Sequence, residues 1–298
     1  MPASAPRIGV LAVMGSCLSL QVGAAVAMQL FPTLGPWGVT AVRLTVAAVI
    51  LCAVARPAIV AWDRHQWRAV AVYGVTLGGM NAFFYAAIER LPLGPAVAIE
   101  FLGPLALAAA LSRRARELAL VGVALAGMGL LALDGILGAE PLDPLGVGLV
   151  LVAAALWAGY IRSGAQVAGR VPGMGGLAAG LAVASICLIP FGAPAMTRLA
   201  LEPSLIPLAL ATAVFASVLP YSLELVALRR LPERVFGVLL SLEPVFAALV
   251  GWALLAQGMT WLRAAAIALV VVASAAVTLG ARDGAPNRTA PRRRGLRV

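Results

Sequence analysis

Lysine is missing from this chain: all 22 basic residues among its 298 are arginine. That removes the P-loop, whose lysine must reach the β- and γ-phosphates, and it removes lysine Schiff-base chemistry. ATP is therefore excluded as the power source. Histidine is almost missing too. The single copy, His65, stands in a loop, so neither a histidine metal site nor a histidine proton relay inside a membrane can be built. Three cysteines, Cys17, Cys52 and Cys187, lie in apolar runs without CxxC spacing and read as small buried hydrophobes. Charge is scarce, with 11% charged residues where a soluble domain has about 25%. No Ser/His/Asp set, metal cluster or dinucleotide loop can be assembled, so the sequence predicts no enzyme, no metal and no cofactor.

What fills the chain instead is apolar: 62% of its residues are hydrophobic, against about 45–50% in soluble domains. The sequence therefore predicts an all-α integral membrane protein. A span needs about 20 apolar residues. Ten candidates follow, at 8–30, 37–55, 69–88, 95–112, 117–137, 145–168, 174–194, 205–228, 235–255 and 261–280. Proline, glycine or charge separates them, as at Arg56-Pro57 and Val171-Pro172-Gly173. The first run is longer than a signal-peptide core and is interrupted by Gln21, so it is read as a span. Residues 281–298 are polar and aperiodic, which predicts a disordered basic cytoplasmic tail.

Two landmarks recur at one interval. Leu91-Pro92 returns as Leu231-Pro232 and Pro104 returns as Pro244, each 140 positions later. One unit thus occurs twice, giving five-helix repeats over 8–137 and 145–280. An odd number of spans per unit makes the second copy cross in the opposite sense. With the N-terminus inside, 18 of the arginines fall in inward loops or the tail, leaving Arg90, Arg198 and Arg263 outside and Arg43 within a span. That obeys the positive-inside rule with both termini cytoplasmic. It also accounts for the net charge of +10 without a nucleic-acid partner, since the arginines are scattered among loops. Inverted repeats are the layout of many secondary transporters, which bind substrate near the midplane.

Four ionisable residues stand inside apolar runs: Arg43, Glu100, Glu224 and Glu243. Each would cost roughly 2.5–3.5 kcal/mol at a helix centre, about 10 kcal/mol together if unpaired. Either they line a cavity that handles substrate and protons, or they form a structural pair, such as Arg43 with one glutamate, with the rest near helix ends. Pro104, Pro220 and Pro244 add kinks. They cannot donate to the carbonyls of Glu100, Ala216 and Leu240, and such carbonyls need polar neighbours at membrane depth. Asn81 and Tyr85 share one helical face with Tyr73; Tyr221 shares one with Glu224, and Trp157 with Tyr160. Such aromatic stripes serve packing as readily as binding, but the Asn81 amide needs partners in a dry setting. Gly74-xxx-Gly78 and Gly176-xxx-Gly180 predict close helix packing.

Several stretches are similar to a known family. They are Gly78-Gly79-Met80-Asn81, Pro92-Leu93-Gly94 with Ala96-Val97-Ala98, Glu100-Phe101 with Gly103-Pro104-Leu105, and Ser112-Arg113-Arg114. In the second half they are Leu219-Pro220-Tyr221-Ser222-Leu223-Glu224, then Leu231-Pro232, Arg234, Phe236-Gly237, Ser241 and Glu243-Pro244. They resemble the EamA branch of the drug/metabolite transporter superfamily over about residues 8 to 280. Ala256-Gln257 departs from that family, which usually has Gly-Glu there. The resemblance implies a carrier that exports small neutral amino acids of the threonine and homoserine kind, driven by protons; the all-arginine, alanine-rich composition points to a GC-rich bacterium and hence to its plasma membrane. A zwitterion needs an anion for its ammonium, which Glu100, Glu224 or Glu243 could supply, and donors for its carboxylate, which Arg43, Asn81 or a tyrosine could supply. Export of drugs, aromatic compounds or other metabolites fits the same fold.

Overall fold

The computed structural model describes residues 4–111, 115–137, 142–228, 230, 239–240 and 242–280. The expected tail and the second-half landmarks Leu231-Pro232, Arg234, Phe236-Gly237 and Ser241 lie outside the described residues. Every regular element among them is helical. The first half holds α1 (Ser4–Met28), α2 (Phe31–Ala55), α3 (Arg64–Ile88), α4 (Leu93–Glu100), α5 (Leu102–Leu111) and α6 (Ala115–Leu137). The second holds α7 (Pro144–Arg170), α8 (Gly175–Cys187), α9 (Ile189–Leu201), α10 (Ile206–Ala213), α11 (Leu219–Leu228), α12 (Glu243–Leu255) and α13 (Trp261–Gly280). A π-helical turn, Val214–Val218, joins α10 to α11.

Local chemistry explains most boundaries. Asp63 caps α3 by accepting from Gln66 N at 2.7 Å while Gln66 Oε1 accepts from Asp63 N at 2.9 Å, a reciprocal capping box. Asp143 caps α7 by accepting from Leu145 N at 2.8 Å, with Pro144 at the first helical position, where its missing N–H is harmless. Near the start of α2 the backbone turns at Gly35, whose φ of +66° is natural only for glycine; Pro36 then opens the main run.

Among the described residues five continuous stretches are long and apolar enough to cross a membrane: Arg7–Met28, Phe31–Ala55, Arg64–Ile88, Pro144–Val167 and Pro203–Glu224. The expected span at 174–194 is not straight. It breaks at Leu188, and α8 and α9 meet at 83°, because Pro190 cannot donate to the carbonyl four residues back. Counted as one span, the bent pair makes six. Arg263, expected in an outward loop, is instead buried in the first turn of α13. There Asp134 of α6 takes its charge, so it needs no water.

The halves interleave rather than sit side by side. α3 packs on α7 and α8, α1 on α10, the π turn, α11 and α12, α2 on α8, α9 and α10, α4 on α7 and α12, and α6 on α13. Small residues allow the close approaches. A Cβ on Gly180 would lie 2.5 Å from the Tyr73 ring, and one on Gly78 would lie 3.0 Å from Ala184. Two large apolar clusters and two small ones result among the described residues. Of the large pair, one centres on α4 with the ends of α1, α2, α12 and α13; the other centres on α2, α3, α7 and α8. The polar residues meet between them.

Candidate functional site

The π turn is the scaffold of this meeting point. Pro220 has no N–H to give the carbonyl of Ala216, so that carbonyl needs an outside donor. Arg43, reaching across from α2, donates Nη1 to Ala216 O at 2.6 Å and to Ser217 Oγ at 3.1 Å. Its Nη2 donates to Asn81 Oδ1, and Asn81 in turn donates Nδ2 to Leu77 O at 2.8 Å. The guanidinium carbon lies 4.6 Å from the centroid of the Tyr85 ring, a cation–π contact. The sequence placed Asn81 and Tyr85 on one face of their span and Arg43 in another span, and the fold brings the three together.

Two serines of α1 complete the scaffold. Ser19 Oγ donates to Phe215 O at 2.7 Å, and Ser16 Oγ lies 3.0 Å from Glu224 Oε1 and 3.3 Å from Pro220 O. Sequence reasoning missed both, although Ser16, Ser19 and Gly23 share a helical face. At Gly23 an added Cβ would sit 2.7 Å from that of Ala216, so this face of α1 lies hard against the π turn.

The three glutamates come from three helices. Glu100 ends α4, Glu224 lies within α11, and Glu243 begins α12. Glu100 and Glu243 are buried and Glu224 is partly exposed. Glu243 is in electrostatic range of both others, and Cys17 of α1 is in range of Glu243 and Glu224. Tyr221, a turn before Glu224, lies in electrostatic range of Glu224 on one side and of Arg43, Tyr85 and Asn81 on the other.

The aromatic residues flank both groups. Tyr73 and Tyr160 stack with centroids 5.0 Å apart, their hydroxyls 3.3 Å from each other. Trp157 meets Phe101 edge-on at 4.8 Å, beside Glu100. Trp157 and Tyr160 thus share a face of α7 but serve different neighbours. Of the three prolines, Pro104 follows the break between α4 and α5 at Phe101, Pro220 follows the π turn, and Pro244 sits in the first turn of α12.

Three buried polar atoms have no partner among the described residues: Gln21 Oε1, Arg43 Nε and Tyr85 Oη. A second buried polar set was also missed from sequence. Arg263 Nε donates to Asp134 Oδ2 at 2.6 Å and Thr260 Oγ1 donates to Asp134 Oδ1 at 2.6 Å, while Arg263 Nη1 donates to Gly258 O at 3.0 Å. The usable signal was Asp134, an isolated acid in an apolar run. Nearby, Gln257 Oε1 accepts from Leu93 N at 2.9 Å, tying the loop before α13 to the start of α4. Among the described residues no group of three or more metal-ligating side chains gathers.

Apolar helices that bury a cation, two carboxyls and an amide, with a third carboxyl partly exposed beside them, define a multi-pass membrane protein with a polar interior. Comparison with known proteins narrows the class. Residues 144–279 match the model of the EamA-like transporter family. The chain is 41% identical over 282 residues to the threonine/homoserine exporter RhtA of Escherichia coli (strain K12), covering 95% of this chain and 94% of that protein. It is 41% identical over 264 residues to RhtA of Salmonella typhimurium (strain LT2), covering 89% of each. A protein of known crystal structure aligns at 24% identity with a TM-score of 0.56, covering 95% of this chain and all of that one; this likeness speaks for the fold alone. The chain belongs to the EamA-like transporter family.

Proposed function

We propose that this protein exports small neutral amino acids, threonine and homoserine among them, across a bacterial inner membrane in exchange for protons. The observation that carries the reading is the convergence of Glu100, Glu243 and Glu224, through Tyr221, on the Arg43–Asn81–Tyr85 group. Anionic and cationic groups at opposite ends of one polar track suit the ammonium and carboxylate of a zwitterion. A carboxyl that takes up a proton loses its charge and with it the cost of burial, so proton and ammonium compete for the same acid. The names of the relatives supply the substrate class.

Alternating access would come from two five-helix units of opposite orientation. The packing supports a two-fold relation. Exchanging α1 with α7, α2 with α8–α9, α3 with α10–α11, α4–α5 with α12, and α6 with α13 turns the largest contacts between the halves into one another or into themselves. The α3–α7 contact becomes α1–α11, α4–α7 becomes α1–α12, and α3–α8 becomes α2–α10. Charge supports cytoplasmic termini. Arg90, Arg198 and Arg263, on the proposed outer side, pair with Asp143, Glu202 and Asp134 at 2.9, 3.5 and 2.6 Å. Among the described residues the arginines of the proposed inner side form no ion pair, leaving their charge to hold that side in the cytoplasm.

The test is threonine efflux from proteoliposomes under an imposed pH gradient, comparing the parent with Glu100→Gln, Glu224→Gln and Glu243→Gln. At least one variant should lose the response to the gradient. If all three keep it, the proton-exchange mechanism is wrong.

A further inference from the structure

Arg43 is a fully buried cation, 1% exposed, whose described partners are all neutral: two oxygens of the π turn, the Asn81 amide and the face of Tyr85. A charge withdrawn from water without an anion is costly, and a buried hydrogen-bonding atom left unpaired adds to that cost. Arg43 carries both burdens, because its Nε has no partner. Stacked against it is Tyr85, 2% exposed, whose hydroxyl also lacks one. Two unsatisfied groups in contact, one of them cationic, form a recognition element for an anion. Nη1 bonds the π turn twice and Nη2 holds Asn81, so Nε is the guanidinium nitrogen with no partner among the described residues.

We propose that Arg43 Nε and the Tyr85 hydroxyl seat the α-carboxylate of the transported amino acid, an assignment that rests on the exporter reading above. A carboxylate offers two oxygens, each able to accept a charge-assisted bond of about 2.7–2.9 Å. One oxygen takes the guanidinium N–H and the other the phenol. The seat opens to substrate when the two halves part. Binding there also supplies the counter-charge that Arg43 lacks. Because Arg43 holds the carbonyl freed by Pro220, a carboxylate drawing on the guanidinium acts directly on the π turn that leads into Glu224.

Tyr85→Phe separates this role from a structural one. The hydroxyl bonds to none of the described residues, so its loss leaves the ligand-free melting temperature of the purified protein unchanged or raised. The same substitution should raise the threonine concentration needed for half-maximal thermal stabilisation about ten-fold or more. The amino alcohol corresponding to threonine, which lacks the carboxylate, should stabilise neither protein. Arg43→Lys, which keeps the charge but not the planar fork, should lose the threonine response as well. The proposal is overturned if the amino alcohol stabilises the parent as well as threonine does. It is also overturned if Tyr85→Phe responds to threonine at the parent's concentration, or if threonine stabilises neither protein. Proteoliposome flux reads the exporter assignment separately: binding without flux would sink export and leave the seat standing, whereas flux with an unaltered Tyr85→Phe would do the reverse.

Discussion

Arg43 and Arg263 are both arginines folded into the interior, 1% and 6% exposed, but their surroundings differ in kind. Arg263 faces Asp134 at 2.6 Å, and Thr260 and Gly258 complete the set. Its charge is cancelled locally, and the pair joins α6 to α13, one helix from each half. Among the described residues Arg43 has no carboxylate partner, and its Nε is unpaired. A protein that needed only a strut at Arg43 would be better served by the Arg263 arrangement. The contrast teaches that burial alone does not mark a functional charge; burial with incomplete satisfaction does.

Mutation of each arginine's surroundings should make the contrast quantitative. Asp134→Ala strands the Arg263 charge and should cost about 3–5 kcal/mol, the usual penalty for breaking a buried pair from one side. Replacing both Asp134 and Arg263 with leucine should recover most of that loss, since apolar replacement of a buried pair is often neutral. Arg43→Met should behave differently. It strands the Ala216 carbonyl, at about 1–3 kcal/mol, but also removes a cation without an anion, so the net loss is smaller while threonine efflux disappears. Denaturation of the purified variants, read beside flux, checks both. Equal destabilisation by Asp134→Ala and Arg43→Met, with flux lost in both, would erase the distinction.

How much of this could be read beforehand follows from the range of each signal. Membrane class and most helix boundaries are local: they follow from apolar runs, from the Asp63 and Asp143 caps and from prolines. The freed Ala216 carbonyl was also legible, because Pro220 four residues on dictates it. Which donor would satisfy it was not, since Arg43 lies 173 residues away. The Asp134–Arg263 pair, separated by 129 residues, escaped for the same reason. Arg263 even looked like an ordinary loop charge, because its neighbours Thr260 and Trp261 say nothing about α6. The bend at Leu188 was hidden by hydrophobicity that continues across it, although Pro190 marked the place.

A smaller effect is expected where one hydroxyl serves the π turn. Ser19→Ala leaves the Phe215 carbonyl without its side-chain donor and should cost about 1 kcal/mol. Because that carbonyl lies beside the one Arg43 holds, the variant should also lower the threonine efflux rate without abolishing it. A Ser19→Ala protein as stable and as active as the parent would mean that water or the helix itself satisfies Phe215, and that Arg43 alone stabilises the turn.

The smallest effect belongs to Arg90 and Asp143, the exposed counterpart of the buried Arg263 pair. The bond from Arg90, at 2.9 Å, holds the Asp143 carboxyl below the usual carboxylate range. A carboxyl whose folded value is depressed stabilises the fold above its unfolded value, near about 3.9, and loses that contribution as pH falls through the folded value. Asp143→Asn tests the charge alone, because asparagine can still cap α7. At pH 7 and low salt the variant should be slightly less stable than the parent. The difference should shrink in high salt and vanish well below pH 4. A difference that persists through salt and acid would show that Asp143 works as a cap and tether rather than as a charge, leaving Asp134–Arg263 as the ion pair that joins the halves on this side.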